Sequence, residues 1–526
     1  MRYTFDKRRD VCYNESVRLI KICNAIERIV MKLNYKRTIL VGFAFFLISA
    51  FWQAYDAIVP LALTNHFGLD HFSSGAVMAL DNILAVFMLP LFGAISDKMC
   101  SKYGKRTPFI FLGTIAAVIA FICLTFIDNY QLKAVVDAGI PEMYSIAKEA
   151  RQEAYELMKV ARKSGDAELI NSAKAALESV DVMFEQIRVS TFAITKGKII
   201  TLVGFMGVLL LVLISMATFR SPAVALMPDV TVKPLRSKGN AIINLMGTAG
   251  GIIVLVLGMV FATSQIYMQY SGYVIAVCSV MIIGLLIFLF TVKENAWANQ
   301  MAEDTKKYQI EEKESTVSGG RSLSKAEMKS LLLILASVAL WYIGYNSITS
   351  KYSVYASNEL GFDYNLTLII AQAAAIVSYI PVGIISSKFG RRKTILAGII
   401  MLASAFLIGN FITPNIPEMV MYPVFILAGI GWATINVNSF PMVVELAKGG
   451  EVGKYTGYYY TASMAAQIVA PILSGLLYKL FTMRVMFFLF GTIFVAASFV
   501  TMFFVKHGDS KPEAQGALEA LAGADD

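Results

Sequence analysis

The sequence predicts an all-α membrane protein: twelve transmembrane helices in two pseudo-symmetric six-helix bundles, with a helical hairpin inserted on the exterior face. Three observations predict it. Of 526 residues, 57% are hydrophobic and only 16% charged, well away from the soluble mix. Apolar runs of roughly 20 residues, the length a helix needs to cross hydrocarbon, recur along the chain. One polar-aromatic patch is also written twice, as "FWQAYDAIV" (51–59) and "WYIGYNSIT" (341–349), with Phe51/Trp341, Tyr55/Tyr345 and Asp56/Asn346 at one offset, 341 − 51 = 290.

The elements follow in order. Residues 1–36 carry Arg8, Arg9, Arg18 and Lys21 but no small-residue cleavage site, so no signal peptide is expected. Leu19, Ile22, Cys23, Ile26, Ile29, Val30 and Leu33 share one helical face, which predicts an interfacial amphipathic helix. Six spans are predicted in residues 37–292, at 38–63, 73–96, 108–128, 199–224, 240–263 and 270–292. A polar linker at 293–325 follows, then six spans in 326–505, at 327–355, 365–387, 394–412, 418–444, 454–478 and 483–505, and a tail at 506–526. Barrel strands are excluded because they are short and alternate.

The repeat locates the insertion. "GAISDK" from Gly93 pairs with "GIISSK" from Gly383 at offset 290, whereas "SPAV" and "FPMV" pair at 441 − 222 = 219. About 71 extra residues fall in the polar stretch from Asp128 to Lys198 (hairpin 129–198), where two helical patterns flank Ser164-Gly165-Asp166, a turn and helix cap. This hairpin reads either as a solvated cover or as a lid or docking element. A direct repeat of six helices implies a pseudo-twofold axis along the membrane normal, with a binding site between the halves near the midplane.

The net charge of +9 is distributed as in a membrane protein rather than a nucleic-acid binder. Arg37, Lys102, Lys105, Arg106, Arg236, Lys238, Arg391, Arg392 and Lys393 fall in loops on one side; opposite, 264–269 has no basic residue and 356–364 only Glu359 and Asp363 as charges. This asymmetry predicts cytoplasmic termini in an inner or plasma membrane. Cys12, Cys23, Cys100, Cys123 and Cys278 all avoid exterior loops, so free thiols are expected.

The loop motifs "GIISSKFGRR" and "GAISDKMCSKYGKRTPF" resemble the loop between helices 2 and 3 of the major facilitator superfamily, G-x-x-x-D-[RK]-x-G-R-[RK]. In "GIISSKFGRR" Ser387 replaces the acid, and "GAISDKMCSKYGKRTPF" has four extra residues before Gly104. That longer form, with "RSPAVALMPDV", "LRSKGNA" and "FGLDH", is similar to glycoside–cation symporters and especially the sucrose/proton branch, whose histidine position matches His71. The resemblance implies the major facilitator fold and sugar transport coupled to a cation. It has departures. Melibiose-type sodium symporters have two acids where this chain has Ala85 and Leu89, and plant sucrose carriers an aspartate where it has Leu213. The first departure argues for protons rather than sodium, and the second leaves coupling to another acid or absent.

Ionised groups persist in hydrocarbon where they are paired or wet. Asp56, about 9 Å outside the midplane at ~1.5 Å per residue, and Asp81, at a similar level, are the candidates for proton coupling; facing each other, they would raise one pKa. Hydrogen bonding to backbone or to Asn82 is the alternative. Arg220 is the basic residue inside the first half's spans, about 15 Å from the level of Asp81 by the same rise, suited to substrate hydroxyls or an inner gate. Sugars need aromatic faces and fixed hydrogen-bonding groups, supplied by Trp52, Gln53, Tyr55, Asn82, Trp341, Tyr345, Asn346, Trp432, Asn436 and Asn438. Packing is the alternative for each aromatic, and interhelical hydrogen bonding for each amide. Asp97, Lys105, Arg106, Asp229, Arg391 and Glu445 are candidate gating charges at the basic face.

Three histidines, with no Cys-x-x-Cys, phosphate-binding loop or nucleophile elbow, argue against an enzyme. His66, Asp70 and His71 remain a weak metal-ligand pattern. The reading is a monomeric sugar/proton symporter in the bilayer, with no cofactor and no nucleic-acid partner. An exporter of amphipathic compounds run by proton antiport, or a non-transporting nutrient sensor, are its alternatives.

Overall fold

The computed structural model describes residues 33–232, 235–307, 324–444, 446 and 452–507. The amphipathic face at 19–33 (save Leu33), Cys12, Cys23, most of the linker, the tail after His507 and the candidate gate residue Glu445 lie outside the described residues. Among the described residues there is no strand, and twelve helices are long and apolar enough to cross a membrane. Those of the first half are Tyr35–His66 (span 1), His71–Lys98 (2), Thr107–Asp137 (3), Ile199–Val230 (4), Gly239–Val260 (5) and Ser271–Thr291 (6). Those of the second are Lys325–Thr349 (7), Tyr364–Ser386 (8), Arg391–Gly409 (9), Glu418–Val443 (10), Gly457–Phe481 (11) and Met483–Phe503 (12). In hydrocarbon the backbone must satisfy itself, and helices do so within one segment.

The packing repeats. Spans 1 and 5, 1 and 6, 2 and 4, 3 and 4, and 3 and 6 pack together; each pair has its counterpart six spans later. Between the halves, span 2 packs on span 11 and span 8 on span 5. Spans 2 and 11 cross closely at Gly75 and Gly475, where a Cβ would strike Pro471 O and His71 O. Spans 1 and 7 both run on into π-helical turns, Ala62–His66 and Tyr355–Leu360. Each turn opens an N-x-x-G-x-D stretch, Asn65–Asp70 and Asn358–Asp363, at 361 − 68 = 293. Gly68 and Gly361 take φ of 65° and 72°, which glycine adopts at little cost. Asp70 and Asp363 then cap spans 2 and 8 by accepting from the Ser73 and Asn365 N–H groups.

The hairpin consists of helices Ile140–Ser164 and Ala167–Gly197. Gly165 ends the first at φ 71°, and Asp166 caps the second through the Glu168 and Leu169 N–H groups. Ala154, Tyr155, Met158 and Ala161 pack on Ala173, Leu177 and Val180. At the opposite, basic face, Glu294 begins the helix Glu294–Lys307 with a buried carboxylate. It accepts from the Lys105, Arg106 and Thr107 N–H groups at 2.7, 2.9 and 2.8 Å and from the Thr107 hydroxyl at 2.7 Å, so it caps span 3 from 187 residues away. Cys100, Cys123 and Cys278 are unpaired.

Replacing Glu294 by Ala strands buried N–H groups at the positive end of a helix, a loss of about 2–3 kcal/mol. Thermal unfolding of the purified protein is expected to drop by several degrees, with Glu294→Gln recovering part of the loss. An unchanged midpoint for Glu294→Ala would contradict this role.

Candidate substrate cavity and its two faces

A cavity of about 1120 Å³ lies between the halves at mid-depth, at the upper end of small-molecule sites. Its charged lining residues are Asp56 and Arg220. Asp56 is exposed to the cavity although it sits deep in span 1. Among the described residues, no cation lies within ion-pair distance of Asp56 and no carboxylate within that distance of Arg220. The guanidinium of Arg220 lies 5.6 Å from the centre of the Trp52 ring, a cation–π contact. Asp81 is half-buried beside the cavity, accepts from Asn82 Nδ2 at 2.9 Å, and is near enough for its charge to interact with both Asp56 and Arg220.

Tyr345 and Trp432, which also line the cavity, stack face to face at 3.6 Å with their planes 4° apart, so the inner face of each ring is spent on the other. Gln372 of span 8 donates to Gln53 of span 1 at 2.8 Å, joining the halves across the cavity. Trp52, Gln53, Asp56, Asn82, Arg220, Tyr345 and Trp432 thus line one space.

The remaining residues picked out from the sequence lie elsewhere. Tyr55 and Trp341 are fully buried in their own halves. Asn346 and Asn438 donate to the Tyr342 and Thr434 carbonyls one turn back, and Asn436 is buried off the cavity. Conversely, the sequence reading did not single out Asn240, Asn244, Gln372, Tyr379 or Gln467, which line it. Asn240, Asn244 and Thr248 stand four residues apart on span 5, a polar stripe on an apolar helix that would have found them.

The hairpin face is closed. Asn65 and Asn358, equivalent positions of the two π turns, exchange amide hydrogen bonds at 3.2 and 2.7 Å. Lys479 pairs with Asp70 at 2.6 Å, and Lys351 donates to the His71 carbonyl. The hairpin adds Arg151, whose buried guanidinium lies over Phe184 and donates to the Asn358 carbonyl and Glu359 at 2.9 and 3.1 Å. Arg484 reaches Asp181 of the hairpin at 3.4 Å. His66 is occupied by Asp128 at 2.7 Å, away from Asp70 and His71.

At the basic face, Arg106 bonds Asp97, Ser96 and Asp229, and Lys105 also reaches Asp229. These contacts tie spans 2, 3 and 4 within the first half. Arg391 is buried at the start of span 9. Among the described residues, no ion pair crosses between the halves at this face. Cavity-lining residues extend to Pro228 and Asn240, near the basic ends of spans 4 and 5.

A family model of the Major Facilitator Superfamily matches residues 24–140, 189–378 and 364–523. The chain belongs to the Major Facilitator Superfamily. The matched segments leave out 141–188, most of the hairpin. The chain is 25% identical over 295 residues to an uncharacterized MFS-type transporter of Methanocaldococcus jannaschii, covering 54% of this chain and 68% of that one. In fold it is similar to the xylose transporter XylE from E. coli in its inward-open conformation (TM-score 0.56, 12% identity, 92% and 98% of the two chains). It is also similar to a D-xylose-proton symporter (TM-score 0.53, 13% identity, 89% and 98%) and to a POT family transporter in complex with 5-aminolevulinic acid (TM-score 0.57, 11% identity, 89% and 95%). Family and fold point to a transporter of small molecules rather than an enzyme.

For a major facilitator, closure of one face with a cavity reaching toward the other is one end of a rocking motion. Burial pushes the Asp70 carboxyl up, but hydrogen bonds from Lys479 and Ser73 outweigh it and hold its pKa down to about 2. Its contribution is thus present above the ordinary Asp range and lost only as pH falls through about 2. Between pH 6 and 5, below the value of about 7 to which burial lowers the Lys351 ammonium and above that of Asp70, the labelling of a cysteine placed at Ala57, probed from the hairpin side and normalised to an exposed reference cysteine, should not change. In Asp70→Asn it should rise by up to about fivefold, 1 kcal/mol being the upper end for an exposed pair. A wild-type seal that loosens over that pH range would refute the assignment.

Proposed function

We propose that this chain is a sugar/proton symporter of the inner or plasma membrane, working as a monomer by alternating access. The observation that carries the reading is a single cavity holding a stacked aromatic pair, a set of amides from both halves, and one accessible carboxylate. The Tyr345–Trp432 stack lines the cavity, and an outer face of that pair is what a pyranose ring stacks on in this reading. Asn82, Asn240, Asn244, Gln372 and Gln467 supply both donors and acceptors for hydroxyls. The xylose transporters named above support it only through their shared fold.

Asp56 is the proton carrier in this reading. It opens to the cavity with no cation against it, so proton exchange with water needs no ion pair to break. Asp81 and Arg220 set the field around it, and Arg220 with Asn82 meets substrate hydroxyls. In this reading the termini and the basic loops lie in the cytoplasm, as the positive-inside rule favours, and the described state is inward-facing. The bundles 37–292 and 326–505 then rock about the cavity. Breaking the Asn65–Asn358, Asp70–Lys479 and Lys351 contacts opens the exterior. Asp97, Lys105, Arg106 and Asp229 brace the first half's inner end, against which Arg391 and Glu445 of the second half close when the inner face shuts.

Sugar-induced alkalinisation of lightly buffered cells producing the protein, screened over α-glucosides and other disaccharides, tests this directly. A sugar-dependent proton inflow is expected, abolished in Asp56→Asn while sugar counterflow persists. Trp432→Ala should raise KM by roughly tenfold, about 1.4 kcal/mol. No response to any sugar, with proton movement on adding lipophilic cations, would replace the reading with that of an exporter.

A further inference from the structure

A second cavity lies on the other side of span 8 from the first. It is a crevice of about 540 Å³ between spans 8 and 9, floored by Ile430 and Thr434 of span 10. Val377, Pro381 and Phe389 form one wall, and Lys393 and Met401 stand on the other. Val377 is 72% exposed and Phe389 62%, so protein does not cover them, and in a spanning helix lipid does. The hydroxyls within it are spent on their own helices: Ser378 donates to the Ala374 carbonyl, Thr394 to Gly390 and Thr434 to Ile430. The walls are therefore apolar, and the charged group among the lining residues is the ammonium of Lys393.

The neighbouring sequence offers that ammonium no acid. In the first half, Asp97 and Asp229 bond the loop cations Lys105 and Arg106, whose counterparts in the aligned Gly-cation-cation motif are Arg391 and Arg392; Lys393 stands where that half has Thr107. At the position equivalent to Asp97 the second half has Ser387, 387 − 97 = 290, and no Asp or Glu occurs between Asp363 and Glu418. Four cations, Lys388, Arg391, Arg392 and Lys393, occupy that stretch. Among the described residues Lys388 and Lys393 have no ion pair or hydrogen bond. From Phe389 to Val377 the crevice runs 12 residues along span 8, about 18 Å at ~1.5 Å per residue, comparable with the ~15 Å hydrocarbon depth of one leaflet.

We propose that this crevice is a binding site for an anionic phospholipid of the leaflet at the basic face. One acyl chain lies between spans 8 and 9, and the phosphate sits on Lys393 with Lys388 at the rim, supplying a negative charge that the neighbouring sequence does not. Span 8 is shared by the two cavities: Gln372, Ala375, Ile376 and Tyr379 line the central one. A lipid chain wedged behind Pro381 therefore bears on the helix that also carries the Gln372–Gln53 link.

The test uses the full chain purified in detergent, with native mass spectrometry counting retained lipid after exposure to phosphatidylglycerol or phosphatidylcholine. Wild type should retain one phosphatidylglycerol in preference to phosphatidylcholine. Lys393→Ala should reduce that preference roughly fivefold and Lys393→Arg preserve it. Ala397→Phe, which fills the crevice and leaves the cations in place, should remove the retained lipid. Thermal unfolding of each variant controls for folding. Equal retention of the two lipids, or unchanged retention in Ala397→Phe, would overturn the proposal. Displacement of the lipid by inorganic phosphate alone would also overturn it, since it would mark an anion site that needs no acyl chain.

Discussion

The constraint on which the structure turns is the cost of an unpaired charge in hydrocarbon. It divides the ionisable side chains into two groups. Arg106, Arg151, Asp128 and Glu294 are each no more than 5% exposed, and each is held by hydrogen bonds or an ion pair. All four sit toward one face or the other, where they knit helix ends together. Asp56 and Arg220 sit between the faces without such partners, and a wet cavity relieves the cost there. Pairing thus separates groups that hold the bundles from groups available to a ligand or a proton.

Duplication then governs how the faces differ. The two π turns bring Asn65 and Asn358 together about the pseudo-twofold axis, and an amide can meet its own copy because it both donates and accepts. A carboxylate pair at that place would repel. The basic face has no such self-complementary element among the described residues. Its first-half cations Lys105 and Arg106 are satisfied by first-half acids. The closed and open faces follow from where complementary groups fell after duplication.

Much of this was legible in the sequence, for reasons that also mark where legibility ended. Spans are readable because hydrocarbon thickness fixes their length, and the repeat because equivalent side chains kept a constant offset. The site was readable for span 1, where Trp52, Gln53 and Asp56 share a stretch too polar for lipid. It was less so on spans 7 and 10. Tyr345 lines the cavity while Asn346, a single residue and ~100° around the helix, bonds its own backbone. Helix phase against a partner half is a tertiary quantity, and residue type does not encode it. Glu294 was invisible for a related reason, since a cap supplied from 187 residues away carries no local spacing.

The hairpin combines both lessons. Its turn and cap are local and readable, whereas its contacts are not. Rooted in the first half between spans 3 and 4, it reaches the second through Arg151 on the Asn358 carbonyl and Glu359 and through Asp181 on Arg484. These contacts cross the halves at one face only. Rocking that opens the hairpin face must break them, while rocking that opens the basic face leaves them intact. Whatever they contribute therefore enters the balance between the two states rather than the stability of either bundle alone. Because Arg151 bonds the same residue that closes the π turns, the insertion reinforces the amide clasp where the two halves meet.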